Sequence, residues 1–123
     1  MIKGIGIDAV EIERFNNFHT YSYQRLSRIF SSHEIEYCLR NPHKSAERFA
    51  GRFAAKEALY KALTQAYGKP PSPFLTLCAH CSIILTPAPQ FLVKWQPLQC
   101  ASGSILATIT HTKTTAIAQV IVQ

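Results

Sequence analysis

Hydrophobic positions along this chain fall into two regimes, helical spacing before residue 68 and strand-like runs after residue 73. At the start, "IKGIGIDAV" reads as a short strand: Ile2, Ile5 and Ile7 are apolar, and glycines at 4 and 6 admit a close backbone neighbour. A helix is then predicted from about Val10 through "EIERF", with Ile12 and Phe15 on its inner side. "SSHE" at 31 to 34 is a capping box, Ser31 with Glu34 three residues on, opening a helix that stops at Asn41-Pro42. Ser45 is placed to cap the next helix, predicted over 46–63, the longest and best patterned of the chain. Ala46, Phe49, Ala50, Phe53, Ala54, Ala58 and Leu59 form its inner face, and Gly51 permits a close neighbour at about 1 kcal/mol against alanine.

The stretch "GKPPSP" at 68 to 73 is a linker within one domain, 1–123. After it, "FLTLCAHCSIIL", "QFLVKW", "SILATIT" and "TTAIAQVIV" read as strands, the last two joined by "HTK" into an antiparallel hairpin. The fold class is α+β, helices packed on one face of a mainly antiparallel sheet.

Composition sharpens this. With 123 residues, 47% of them hydrophobic, the chain can bury a core without staples. Thirteen Lys and Arg against seven Asp and Glu give a formal charge of +6, which favours an acidic partner. The N-terminal stretch fits neither a signal peptide nor a basic transit peptide, and no apolar run approaches the ~20 residues a membrane span needs, so the expected location is the cytoplasm. Cys78 and Cys81 form a CxxC pair with no second ligand pair at similar spacing. Cys38 and Cys100 stand apart, so buried thiols are expected ahead of a zinc site.

Asp8 ends the first strand just before the next element, where an aspartate is either a turn or cap carboxylate or a ligand fixed on a rigid element. Glu57 faces the same choice: an i,i+4 partner of Lys61 worth ~0.3–0.5 kcal/mol, or a carboxylate in a groove left shallow by alanines at 54, 55, 58 and 62. If the long helix packs across the strand, Asp8 and Glu57 can meet, and two hard carboxylates can hold Mg2+ in an incomplete oxygen shell. Arg52, Lys56 and Lys61 would then supply charge for a phosphate, with His111 and Lys113 as further donors. The glycines at 4 and 6 lack the third glycine and second-strand acid of a dinucleotide fold, and there is no P-loop.

Three blocks, "GIGIDAVEIERF" (4 to 15), "FAGRFAAKEALYKAL" (49 to 63) and "ATITHTKTTAIAQVIV" (107 to 122), together resemble holo-acyl-carrier-protein synthase, the small bacterial 4'-phosphopantetheinyl transferase family. The resemblance implies transfer of 4'-phosphopantetheine from coenzyme A to a serine of apo-acyl carrier protein, leaving adenosine 3',5'-bisphosphate. It implies Mg2+ on Asp8 and Glu57, catalytic roles for Glu57 and Lys61, coenzyme A contacts from Arg52, Lys61 and His111, and carrier docking on Arg14; Arg25 and Arg28, on the next helical stretch, either extend that docking surface or form a solvated basic face. It further implies a homotrimer with sites between subunits. The family's glycine turn after the helix block is missing: Thr64, Gln65 and Ala66 stand there, and glycine waits until 68. The competing class is a small basic nucleic-acid-binding module without catalysis. No aromatic RNA-binding motif, zinc-finger spacing or long basic run supports it, and 16% charged residues is low for one.

Overall fold

The first strand, β1, spans Gly4–Glu11 and so takes in the start of the predicted helix. The ladder persists because the Ile12 amide still donates to the Thr114 carbonyl, 2.9 Å away. Only then does the chain tighten, into a single 3-10 turn over Ile12–Phe15 that buries the expected pair Ile12 and Phe15. The structure is a computed structural model and describes residues 1–85, 88–98 and 102–123; Cys100 lies outside the described residues.

Helix α1 (Tyr23–Leu26) is capped by the Ser22 hydroxyl. Helix α2 (Ser32–Leu39) has the predicted capping box: Ser31 Oγ accepts from the Glu34 amide, and Glu34 Oε1 accepts from the Ser31 amide at 2.7 Å. Helix α3 (Ser45–Tyr67) is longer than predicted at its C-terminal end. Ser45 does not cap it. It lies within the first turn with its hydroxyl buried and unpartnered among the described residues, because a 3-10 turn over Pro42–Lys44, itself capped by Asn41, feeds the chain in. At the other end the missing glycine turn lets α3 continue to Tyr67, where Gly68 in the left-handed region (φ 74°) stops it.

The first predicted strand after the linker divides. Phe74–Ala79 is helix α4, and only Cys81–Ile84 is strand, β2. A short apolar run does not reveal its period; here Pro73 starts a helix that buries Leu77 and Cys78 and sets Phe74 edge-on to Phe53 and Tyr60. Strands β3 (Gln90–Val93), β4 (Ile105–His111) and β5 (Thr115–Val122) follow, the last two as the predicted hairpin. The strands form two antiparallel sheets, one in the order β1-β5-β4, the other β2-β3.

Helix α3 lies on the three-stranded sheet. Gly4, Gly6, Asp8 and Val10 of β1 pair with Val122, Val120, Ala118 and Ala116 of β5, and this row faces the helix. A Cβ on Gly6 would overlap the Ala58 carbonyl, and one on Gly4 the Ala62 carbonyl. Ala54, Ala55, Ala58 and Ala62 are fully buried, so they let the backbones of strand and helix touch rather than leaving an open groove beside Glu57. Ile5 and Ile7 point the other way and are 47% and 58% exposed.

Lys56 also departs from expectation. Instead of facing a phosphate it is fully buried, its Nζ 2.7 Å from Glu34 Oε1 and 2.7 Å from the Ile29 carbonyl. Glu34 Oε2 accepts from the Ile83 amide at 2.9 Å, so the buried pair is satisfied by hydrogen bonds and ties α2, α3 and β2 together.

Gly6→Ala is expected to cost about 3 kcal/mol or more in denaturant unfolding, because the clash is with helix backbone that cannot swing aside. Gly68→Ala, with open space around it but positive φ, should cost only about 1 kcal/mol. Equal losses at the two positions would show that β1 does not need its glycines.

Candidate active site

Because β1 is an edge strand, the backbone groups of Ile5 and Ile7 that face away from β5 need other partners, and α3 supplies them. Lys61 Nζ donates to the Ile7 carbonyl (3.1 Å) and to Asp8 Oδ1 (3.0 Å), and the Ile5 amide donates to Gln65 Oε1 (2.7 Å). The i,i+4 pairing of Lys61 with Glu57 gives way to this cross-element ion pair. The Asp8 side chain is only 15% exposed, and its second oxygen, Oδ2, is buried with no partner among the described residues. Asp8 is thus neither a cap nor fully neutralised by its lysine.

Glu57 lies beside it. Partial burial, then the Asp8 charge, hold the Glu57 carboxyl above its ordinary 4.5, while Lys61 and Arg14 pull it back. Asp8 and Glu57 thus lie close enough for their charges to interact. Arg14 belongs to the same cluster, with its guanidinium 5.5 Å from the Phe53 ring centre and 5.6 Å from that of Phe15. Among the described residues no group of three or more His, Cys, Asp or Glu converges as a metal cage. Two carboxylates with one free buried oxygen fit a hard divalent ion that keeps positions open for other oxygens.

Arg52 and His111 lie elsewhere. His111 is on β4, the opposite edge of the sheet, 3.2 Å from Glu47, and it shares a cleft of about 230 Å³ with Arg52, Arg48, Lys44 and Tyr37. Arg52 is only 5% exposed and makes no hydrogen bond or ion pair among the described residues; its guanidinium rests on the Tyr37 ring at 4.3 Å, and Nε is buried unpartnered. Arg48 covers the same ring at 4.1 Å and donates to the Tyr37 carbonyl. A buried, unpaired guanidinium is costly unless an anion joins it. The motifs of the sequence do not single out Lys44 and Arg48, although residues 44, 48 and 52 recur at intervals of four, the spacing of one helix stripe.

Arg25 and Arg28 form a third location, on an apolar groove of about 330 Å³ with Phe18, Tyr21, Ile29 and Leu75; Arg25 stacks 3.7 Å from the centre of the Tyr21 ring. The three described cysteines are buried free thiols, with Cys38 and Cys78 pushed up to about 12 and Cys81 to about 11, chiefly by burial. They are poor nucleophiles and poor ligands in that state.

Residues 4–118 match the family model of the 4'-phosphopantetheinyl transferase superfamily. The chain belongs to that superfamily. The holo-[acyl-carrier-protein] synthase of Geotalea daltonii is 50% identical over 64 residues, 51% of this chain and 50% of that protein. The chain thus spans about half the length of the curated relatives it matches. Solved structures align over nearly the full chain. The Helicobacter pylori holo-[acyl-carrier-protein] synthase in complex with coenzyme A is 31% identical, with TM-score 0.70 and coverage of 97% of this chain and 99% of that one. The "Chronobacterium ammoniagenes" ACPS-CoA complex is 28% identical with TM-score 0.78, covering 98% and 96%. Family members thus share the α+β arrangement found here.

Glu57 should titrate above the ordinary carboxylate range when followed by NMR, and Asp8→Asn should lower that value only in part, since burial is the larger cause. A raised carboxyl binds its proton more tightly folded than unfolded, so it lowers stability as pH rises through the folded value. Glu57→Gln should therefore stabilise the metal-free fold at neutral pH and lose that advantage below the ordinary 4.5. A Glu57 titration at or below 4.5 would refute the assigned environment.

Proposed function

We propose that this chain transfers 4'-phosphopantetheine from coenzyme A to a serine of apo-acyl carrier protein, leaving adenosine 3',5'-bisphosphate, in the cytoplasm and with Mg2+. The observation that carries the reading is a pair of buried polar atoms without partners among the described residues, Oδ2 of the ion-paired Asp8 and Nε of Arg52. A divalent cation answers the first and a phosphate the second, and coenzyme A offers a pyrophosphate and a separate 3'-phosphate. Relatives that carry the name holo-[acyl-carrier-protein] synthase, and solved structures of such proteins with coenzyme A, support the same substrate.

In the proposed reaction the serine hydroxyl gives its proton to the Glu57 carboxylate as its oxygen forms a bond to the phosphorus bearing pantetheine. The bridging P–O bond breaks, and its electron pair leaves with adenosine 3',5'-bisphosphate. Asp8 and Glu57 would hold Mg2+, which when bound neutralises phosphate charge. Lys61, fixed on Asp8 and the Ile7 carbonyl, places a cation at the same edge to meet the phosphate. Arg14, beside Glu57, contributes to this field as well as to docking of the acidic carrier. Arg52 and His111 take the nucleotide's phosphate in their own cleft.

These two half-sites lie at opposite edges of the sheet, β1 and β4, with β5 between. A homotrimer with interfacial sites, as the resemblance implies, would let the β1 edge of one copy and the β4 cleft of another meet a single substrate. The sheet face turned away from α3 suits such an assembly: Ile5, Ile7 and Leu106 are all about half exposed there.

Incubated with coenzyme A, Mg2+ and an apo-carrier that a known transferase modifies, the protein should add the mass of phosphopantetheine to the carrier; an unchanged mass would sink the reading. Asp8→Ala and Glu57→Ala should each cut the rate by about 10²-fold or more with native circular dichroism. Charge reversal at Arg25 and Arg28 should raise KM for the carrier and leave KM for coenzyme A alone. A rise confined to coenzyme A would move these arginines out of the docking surface.

A further inference from the structure

The edge of β1 carries one more group that the reaction above does not use. Glu57, Lys61 and Gln65 recur every four residues on α3, so they share one stripe of the helix. Each meets the edge of β1 in turn, Glu57 beside Asp8, Lys61 on Asp8 and the Ile7 carbonyl, and Gln65 on the Ile5 amide. The Ile5 contact settles which way the Gln65 carboxamide points. An N–H needs an acceptor, so Oε1 takes the Ile5 amide at 2.7 Å and the NH2 group faces away from the strand. Gln65 is exposed, and its two Nε2 hydrogens have no partner among the described residues. A side-chain amide fixed at one end thus offers two donors to solvent, one helical turn beyond the lysine at the metal edge.

We propose that Gln65 is a substrate-positioning residue that donates from Nε2 to a phosphate oxygen of coenzyme A next to Lys61. The inference rests on the transferase reading given above. Where the family's glycine turn is missing, α3 continues through residues 64–66 as helix, and the added turn brings the fixed Gln65 amide to the β1 edge. Prior anchoring to Ile5 means that little rotamer freedom remains to be lost on binding.

Gln65→Glu separates this role from a structural one. A carboxylate still accepts from the Ile5 amide, but it has no donors and repels phosphate. Gln65→Met loses the acceptor and the donors without adding charge. For a hydrogen bond to a charged phosphate, Gln65→Glu should raise KM for coenzyme A about tenfold or more. KM for the carrier and the melting temperature should stay near wild type, and kcat should change far less than KM. Gln65→Met should melt lower than Gln65→Glu yet raise KM less. The reverse order, with KM following the melting temperature, would make Gln65 a strand anchor only and overturn the proposal, as would an unchanged KM in Gln65→Glu. If the wild-type chain transfers nothing, the failure lies with the transferase reading. Calorimetric binding of coenzyme A to wild type and Gln65→Glu then still decides the point, and equal affinities would overturn it.

Discussion

The contact of two backbones, β1 against α3, is the constraint on which the rest of this protein depends. Gly4 and Gly6 bring the strand so close that helix carbonyls occupy the space where side chains would stand, and the fully buried alanines of α3 accept that approach from the other side. Only at that separation can a lysine and a glutamine of the helix reach around to the free edge of the strand. Only there does a strand aspartate come close enough to a helix glutamate to disturb its protonation. Packing by the smallest residues thus creates the electrostatics of the edge.

Two buried polar groups, at Asp8 and Arg52, are left without partners among the described residues. Elsewhere the molecule satisfies buried charge fully, as the Lys56–Glu34 pair shows with its carbonyl and amide partners. Against that standard, an aspartate oxygen and a guanidinium left without hydrogen-bond partners among the described residues are exceptions, and both occur at positions that carry the family resemblance. Natural folds seldom leave such groups unpaired unless something else completes them. Asp8 stands on the β1 edge, while Arg52 of α3 faces the cleft that it shares with His111 on the β4 edge.

Periodicity alone identifies α3, the capping box and the terminal hairpin, because those segments are long or carry local rules that tertiary packing does not override. The carboxylate pair is legible in the sequence only as a conditional: Asp8 and Glu57 each have a bland alternative, and the strand–helix contact decides between them. Three features are not legible there. A six-residue apolar segment after Pro73 has no period to read, so α4 passes for strand. The end of β1 is set by a hydrogen bond to Thr114, a partner over a hundred positions away. Lys56 looks like a phosphate ligand because sequence shows its charge and not its direction; burial against Glu34 requires α2 to be in place.

Lys56 and Glu57 are consecutive residues, and by charge they read as a self-neutralising pair. In the fold they project to different sides of α3, one closing the interior and the other standing at the strand edge within reach of the Asp8 charge. A saturation mutational scan scored by activity would record both positions as intolerant and suggest one extended catalytic motif. Scored by cellular abundance instead, the two should part company, since losing the lysine strands a buried carboxylate while losing the glutamate relieves a crowded one. The familiar dipeptide is then two independent selections that happen to share a peptide bond.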